Sequence, residues 1–581
     1  MKKTLEELKK EKEAPKWMTE EAWQTLSNGY LPKNESTPNQ RAWSICLASA
    51  NRLGKPELAK KFYSYYEKRW LGFSSPIWAN MGTTRGLPIS CFGNFLEDNL
   101  YSIMDKNTEV AMLTKSGGGV SSYFGNLRGK NASIRGNGKS EGIIPWAKIY
   151  DSTILGVSQG GTRKGANAIY LDIDHEDFYD FLRMRRQVGD VNRQCLNSNH
   201  AICISDDFME RLNNNDPEAR NKWKELLVTR FETGEPYMFF TGNVNKHLSK
   251  SYNEVLKYLY PNTNLVKFSN ICTEITQYCD SMHTFVCCLS SANLSLWNEW
   301  KDTDFIYYMT WFLDGVMQEF IDRSENQPGL EHARRSAIKG RALGVGGMGW
   351  HTLLQKLNLS FESLQAKLLN TQIWKYIDQE TLRATIDMGK ELGEPEWCKG
   401  TGHRNTLRMA IAPTVSNSTI MGSMDEDLSA SVEPIPANAY AQKSAKGTFI
   451  RKNKLLEKLL KSKKQDNTEV WKSIVANEGS VSHLEFLTEE EKQVFLTARE
   501  INQFVIIRQA SDRQKYIDQA QSINLFFTAN ATPKYMSDVA KEAWREGLKT
   551  LYYCRTSSVL KADSASRGYE RKVEECVWCE G

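Results

Sequence analysis

Asn270, Cys272 and Glu274 stand at alternate positions in the run Ser269-Asn270-Ile271-Cys272-Thr273-Glu274-Ile275. In an extended segment alternate side chains share a face, so an amide, a thiol and a carboxylate would point the same way. Such a set can hydrogen-bond a substrate, pass a hydrogen atom or electron through sulfur, and accept a proton. Taken alone, the run reads as a strand or loop whose polar face happens to hold three useful groups.

Glycine-rich loops are the next places where chemistry is possible. Residues 115–131 (KSGGGVSSYFGNLRGKN) and 158–167 (SQGGTRKGAN) combine glycine and hydroxyls with Arg128, Arg163 and Lys164. Such loops let backbone approach a phosphate or base closely, although neither fits the P-loop or dinucleotide fingerprint. Ala412-Pro413-Thr414-Val415-Ser416-Asn417-Ser418-Thr419 gathers hydroxyls and an amide, which serves an anion site or an ordinary helix cap equally well.

These groups must be positioned by a large chain of 581 residues, long enough for several domains or one big α/β domain with appendages. A net charge of +5 over that length gives no case for direct nucleic-acid binding. No stretch approaches the roughly 20 apolar residues of a membrane span. The N-terminus lacks the apolar core of a secretory signal. Twelve cysteines are too dilute for a disulfide scaffold, so free thiols are expected. AWSICLASANRL and ELAKKFYSYYEKRW predict helices, as does HEDFYDFLRMRR. Residues 168–173, 201–206 and 284–290 predict strands. Lys454 to Lys464 predicts an amphipathic surface helix, and the composition beyond Arg555 reads as a mobile tail.

Together the blocks resemble the catalytic (large, α) subunit of ribonucleotide reductase. NICTEI is similar to that family's Asn-x-Cys-x-Glu finger loop. The surroundings of Ser90-Cys91 and the run Val286-Cys287-Cys288-Leu289-Ser290 resemble the strands bearing its active-site dithiol. SQGGTRKGA resembles its specificity loop and APTVSNSTI its substrate-phosphate loop; RALGVGGMGWHTLL and QAQSINLFF match further blocks. GLKTLYYCRT resembles the tyrosine pair of class I enzymes, and a terminal Cys-x-x-Cys completes the order.

The resemblance implies a role for each residue. Cys272 would be the thiyl radical that removes the ribose 3′ hydrogen, Glu274 the base for the 3′-hydroxyl and Asn270 the group orienting the ribose. Cys91 and Cys287 would supply two electrons by closing a disulfide, while Cys288, on the opposite strand face, would be structural. Cys576 and Cys579 would reopen that disulfide by exchange, in preference to forming half a zinc site. The stretch from Tyr553 to Cys576 can span roughly 75 Å if extended, enough to visit the barrel and meet thioredoxin or glutaredoxin. Tyr552 and Tyr553 would carry oxidation inward from a separate ferritin-like β subunit holding the metal and radical cofactor, with none in this chain. A class II, adenosylcobalamin-dependent reductase is the alternative. Ser75, Ser90, Pro413, Thr414, Val415, Ser416 and Asn417 would bind the ribonucleotide. Asp98, Arg128, Arg135, Gln159 and Arg163 would sense a dNTP or ATP specificity effector at an effector-linked homodimer interface.

The implied fold is a ten-stranded α/β barrel, two five-stranded parallel halves set antiparallel, with a central finger loop and a small N-terminal helical region. Residues 1–72 would form that region, 73–555 the barrel and 556–581 a flexible redox tail. The position of Cys91 leaves no room for an ATP-cone before it, as in reduced phage-like versions. A cytoplasmic location is expected, the host cytoplasm if the source is viral.

Overall fold

The computed structural model describes residues 3–32, 35, 37–157, 165–186, 189–261, 265–444 and 447–556. The chain opens with helices Leu5–Lys10, Glu20–Gly29, Pro38–Arg52 and Leu58–Glu67. Thr4, Thr19 and Thr37 cap the first three, each accepting a bond from a free first-turn N–H. Ala42, Ile45, Cys46, Ser49 and Ala50 form the buried stripe of the third. That stripe packs on helix Phe305–Arg323, where the Ser49 hydroxyl donates to the Phe312 carbonyl at 2.8 Å. The approach needs Gly315, since a Cβ there would lie 2.3 Å from Ser49 Oγ.

The strands number, in chain order, β1 (Leu71–Phe73), β2 (Cys91–Phe95), β3 (Gly119–Tyr123), β4 (Lys130–Ser133), β5 (Lys139–Glu141), β6 (Ala166–Asp172), β7 (Ser198–Ile204), β8 (Tyr237–Phe240), β9 (Phe285–Asn293) and β10 (Leu343–Met348). Then follow β11 (Ala439–Ser444), β12 (Gly447–Lys452), β13 (Leu525–Phe527), β14 (Thr550–Leu551) and β15 (Cys554–Thr556). β2, β3, β6, β7 and β8 run parallel, in that order, as one half of the barrel.

The other half begins with β9 and its parallel neighbour β10. It continues through two irregular extended segments, 407–411 and 519–523, joined by parallel bridges Val345–Met409 and Ile411–Gln521. It ends on β14, whose following residue Tyr552 donates its N–H to the Ile523 carbonyl at 2.8 Å. The halves meet antiparallel at two seams, β2 against β9 and β8 against β14. The result is the mixed α/β barrel implied by the sequence, with ten strands or strand-like segments around the ring.

Alternation within each strand separates an inner from an outer core. Cys91, Ala168, Tyr170, Tyr237, Phe285 and Cys287 pack inside with Cys272. Phe92, Ile169, Ile202, Val286 and Cys288 pack outside under the helices. Cys288 is therefore the structural thiol expected from its position. Residues 439–495 form a separate satellite core around Leu456, Leu460, Trp471 and Ile474. Its helix Lys454–Ser462 is the amphipathic one read from the leucine spacing. The HEDFYDFLRMRR segment is helical only over Phe178–Arg183, and its N-cap Asp177 spends its carboxylate on the Lys130 and Ile143 N–H groups instead of the helix.

Candidate active site

The finger, residues 265–279, threads the barrel with nearly every side chain buried. Its tip is not extended, contrary to the alternating-face expectation. Thr273 sits at φ 72° and donates its N–H to the Asn270 carbonyl at 3.1 Å, making a tight turn. A β-branched residue in the left-handed region costs on the order of 1–3 kcal/mol, which the surrounding bonds must offset. The Asn270 amide does much of this: its Oδ1 accepts from Ile275 N at 3.1 Å and its Nδ2 donates to Glu274 Oε1 at 2.9 Å. The Tyr170 hydroxyl donates to the Asn270 carbonyl at 2.6 Å, and Ser121 donates to the Ser269 carbonyl at 2.6 Å. Gly119 lets the tip close, since a Cβ there would lie 3.0 Å from Ile271 Cγ2. The amide, thiol and carboxylate thus converge through a turn.

Glu274 is fully buried, and burial pushes its pKa up to about 7 against the pull of its own backbone, Asn270, Ser522 and Cys91. The Ser522 hydroxyl lies between two finger groups, 2.9 Å from Glu274 Oε2 and 2.5 Å from the Cys272 carbonyl. Cys91 Sγ is 3.9 Å from Glu274 Oε1. Cys91 stands directly opposite Cys287 across the first seam. Directly opposed antiparallel residues have Cα atoms about 4.5–5.5 Å apart, inside the range a disulfide needs. Burial raises the Cys287 pKa well above the usual thiol value, partly opposed by Gln519 Nε2 at 3.3 Å. Gln519 also accepts from Thr276 N at 3.3 Å and Gln277 Nε2 at 3.2 Å, so it ties the finger to the thiol strand.

At the second seam Tyr552 and Tyr553 have ring centroids 4.3 Å apart. Tyr237, at the start of β8, touches both, at 4.7 and 5.0 Å. Tyr552 is 1% exposed, and burial raises its pKa well above the phenol value, with Tyr237, Tyr553 and the neighbouring Cys272 adding to the shift. Tyr553 is partly exposed, with the Arg555 guanidinium 4.5 Å from its ring centre. Burial and then the Glu235 carboxylate push its pKa up to about 12.

Around β1 a second polar group gathers. Thr414 precedes helix Val415–Ile420, and its hydroxyl accepts from Ser431 N at 2.7 Å. The Asn417 amide and the Ser74 and Ser75 hydroxyls are buried and have no hydrogen-bond partner among the described residues. A Cβ on Gly72 would lie 2.8 Å from Asn417 Oδ1, which places that amide beside the strand leading into Ser74 and Ser75. Ser416 meets Tyr30 of the helical region at 3.5 Å; Pro413 is buried and Val415 half-buried. Ser90 is buried next to Cys91. Asp98 and Arg128 lie apart at a surface edge, where Arg128 Nε donates to Asp98 Oδ2 at 2.7 Å. Arg135 is exposed in the turn joining β4 and β5. Gln159, Arg163, Cys576 and Cys579 lie outside the described residues.

Gln519, Ser522 and Tyr237 join the site without a motif that marks them. The first two lie in QAQSINLFF, a block recognised without roles, and Tyr237 carries no local signal. Among the described residues no group of three or more His, Cys, Asp or Glu side chains could hold a metal ion.

Two family models match the chain: "Ribonucleotide reductase, all-alpha domain" over residues 16–86, and "Ribonucleotide reductase, barrel domain" over 89–219, 216–398 and 395–554. The chain is 38% identical over 555 residues to a "Putative ribonucleoside-diphosphate reductase large subunit" of Frog virus 3 (isolate Goorha), covering 92% of this chain and 94% of that one. It is 33% identical over 637 residues to the "Ribonucleoside-diphosphate reductase large subunit" of Invertebrate iridescent virus 3, covering 96% and 97%. A solved structure, the Actinobacillus ureae class Id ribonucleotide reductase alpha subunit, superposes with a TM-score of 0.85 at 40% identity, covering 94% of this chain and 98% of that one.

Proposed function

We propose how this site works from the premise that the chain belongs to the ribonucleotide reductase large-subunit family and is the catalytic subunit of a ribonucleoside-diphosphate reductase. Cys272, oxidised to a thiyl radical, removes the ribose 3′ hydrogen. Glu274 takes the 3′-hydroxyl proton, and Asn270 with Ser522 holds that carboxylate in place. The 2′-hydroxyl leaves as water. Cys91 and Cys287 supply two electrons and two protons and close a disulfide, after which the 3′ hydrogen returns from Cys272. A base with a pKa near 7 can both take and return a proton at neutral pH, which is what one turnover requires.

The oxidising equivalent comes from a separate radical-generating β subunit, in keeping with the class I relative and not with a cobalamin enzyme. It enters by Tyr553 and Tyr552. Substrate phosphates sit at Thr414, Val415, Ser416 and Asn417, beside Pro413, and the ribose end lies near Ser75 and Ser90. The unpartnered Ser75 and Asn417 groups favour this reading, because a polar ligand would satisfy them. Asp98, Arg128, Arg135, Gln159 and Arg163 form the effector site. Exposed Leu100, Tyr101 and Met104, with Ile149 and Leu155 of the neighbouring helix, give an apolar face for a homodimer beside it. Cys576 and Cys579 pass electrons from thioredoxin or glutaredoxin, and the enzyme works in the cytoplasm.

One observation carries this reading: Cys272, Glu274, Cys91 and Cys287 converge on one buried point although 91 and 287 are far apart in sequence. The test is conversion of CDP to dCDP by the purified chain with a class I β subunit and thioredoxin. Product formed with adenosylcobalamin alone, and none with any β subunit, would sink the proposal.

A further inference from the structure

Glu109 is a buried carboxylate, 3% exposed, that the reaction above does not use. It lies on helix Leu100–Lys115, outside the barrel. Its Oε2 accepts from Thr284 Oγ1 at 2.9 Å and from Asn94 Nδ2 at 3.3 Å. Asn94 follows Cys91 by three residues on β2, and Thr284 precedes Cys287 by three, immediately before β9. The register there runs Cys91–Cys287, Phe92–Val286, Gly93–Phe285, so Asn94 and Thr284 form the next rung. One carboxylate therefore grips both strands of the dithiol ladder from the outer face.

The grip is itself held. Lys106 Nζ stands 3.5 Å from Glu109 and contacts His332, whose Nδ1 is 3.9 Å from the same carboxylate. Asn94 Nδ2 also donates to the Lys106 carbonyl at 3.1 Å. Burial would push the Glu109 pKa up, but His332, Lys106 and Thr284 more than reverse this and keep it below the usual carboxylate range. A buried ionised group with this many partners is costly to disturb.

We propose that Glu109 is a positioning residue for the redox pair: by drawing Asn94 and Thr284 together it holds Cys91 and Cys287 at the separation from which the disulfide closes. The gain is one of effective concentration, because two strands clamped three rungs away are held from splaying at the thiols. Closure removes two electrons and two protons from the thiols and forms one S–S bond. The helix carrying Glu109 begins beside Asp98, so a shift of that helix reaches the dithiol through a single side chain.

The proposal rests on the redox reading of Cys91 and Cys287, and the test separates the two. The full chain is equilibrated in buffers of glutathione and glutathione disulfide, which supplies the oxidant, and the 91–287 disulfide is quantified by alkylation and mass spectrometry. Glu109→Ala is expected to need an oxidising ratio at least about tenfold higher than wild type for half-closure, an effective-concentration effect. Glu109→Gln, which keeps an acceptor for Thr284 and Asn94, should recover most of it. Thr284→Val, close to isosteric, should shift the ratio about threefold and serves if Glu109→Ala does not fold. A role in stability alone would lower the unfolding temperature and leave the ratio unmoved. Ratios within twofold of wild type for each folded variant overturn the clamp. A wild-type chain that never forms this disulfide overturns the redox reading and the clamp with it.

Discussion

The finger tip and the Asp98–Arg128 edge are both polar, yet they are built on opposite principles. At the tip, Asn270, Glu274, Ser522 and Gln519 are fully buried and locked by short bonds into one arrangement. At the edge, Asp98 and Arg128 pair with each other while about a third exposed, next to a hairpin with an exposed turn. A reacting centre gains from groups fixed before the substrate arrives, since reorganisation then costs nothing during the reaction. An edge in the proposed sensing role would gain from groups that exchange one partner for another, because an effector acts only through states that bind it differently.

Substitutions can break or sharpen this contrast, beginning at the tip. Cys272→Ser should leave no measurable dCDP formation. Glu274→Gln should lower kcat by about 10²–10⁴, the usual value of a positioned general base. Near-wild-type turnover in either variant would remove the contrast. The Glu274 variant should also be more stable at pH 8. The folded carboxyl has a pKa near 7 against 4.5 as the ordinary value, so between these pH values the folded chain holds a proton that the unfolded chain has released. Stability contributed by this group is therefore present below about 4.5 and lost as pH rises through about 7. Removing the charge should recover on the order of 3 kcal/mol in urea unfolding at pH 8.

Smaller effects follow outward. Ser522→Ala removes a bond to a charged group and should lower kcat about tenfold, with KM little changed. The acid limb of kcat/KM should fall near pH 7, and should disappear from the residual activity of Glu274→Gln. At the edge, Arg128→Ala should change unfolding free energy by less than about 0.5 kcal/mol, as exposed ion pairs do. It should instead weaken effector binding, read by titration with dNTPs. A large stability loss there would mean that the edge is as rigid as the tip.

Local signals were legible in the chain: the helical stripes, the Cys287/Cys288 alternation on β9, and the order of the motif blocks. The turn at Thr273 was not, because a β-branched residue gives no hint of positive φ; bonds from the Asn270 side chain, Tyr170 and Ser121 hold it in place. Gln519 and Ser522 were invisible as site residues because their finger and thiol partners lie 232 to 250 positions away. Segments 407–411 and 519–523 lack the alternation of a regular strand, and their place in the ring is fixed by neighbours rather than by their own pattern.

The two antiparallel seams have one more consequence. Counting round the ring, five strands separate them on either side, so the thiols of one seam and the tyrosines of the other face each other across the finger. Under the proposed roles, an electron hole arriving at Tyr552 would meet Cys272 without first meeting the reducing pair, and the arrangement would guard against a short circuit. It also makes the insulation all-or-none. A slip of one residue at either seam would turn its inward side chains out to the helices, removing the thiols or the tyrosines outright.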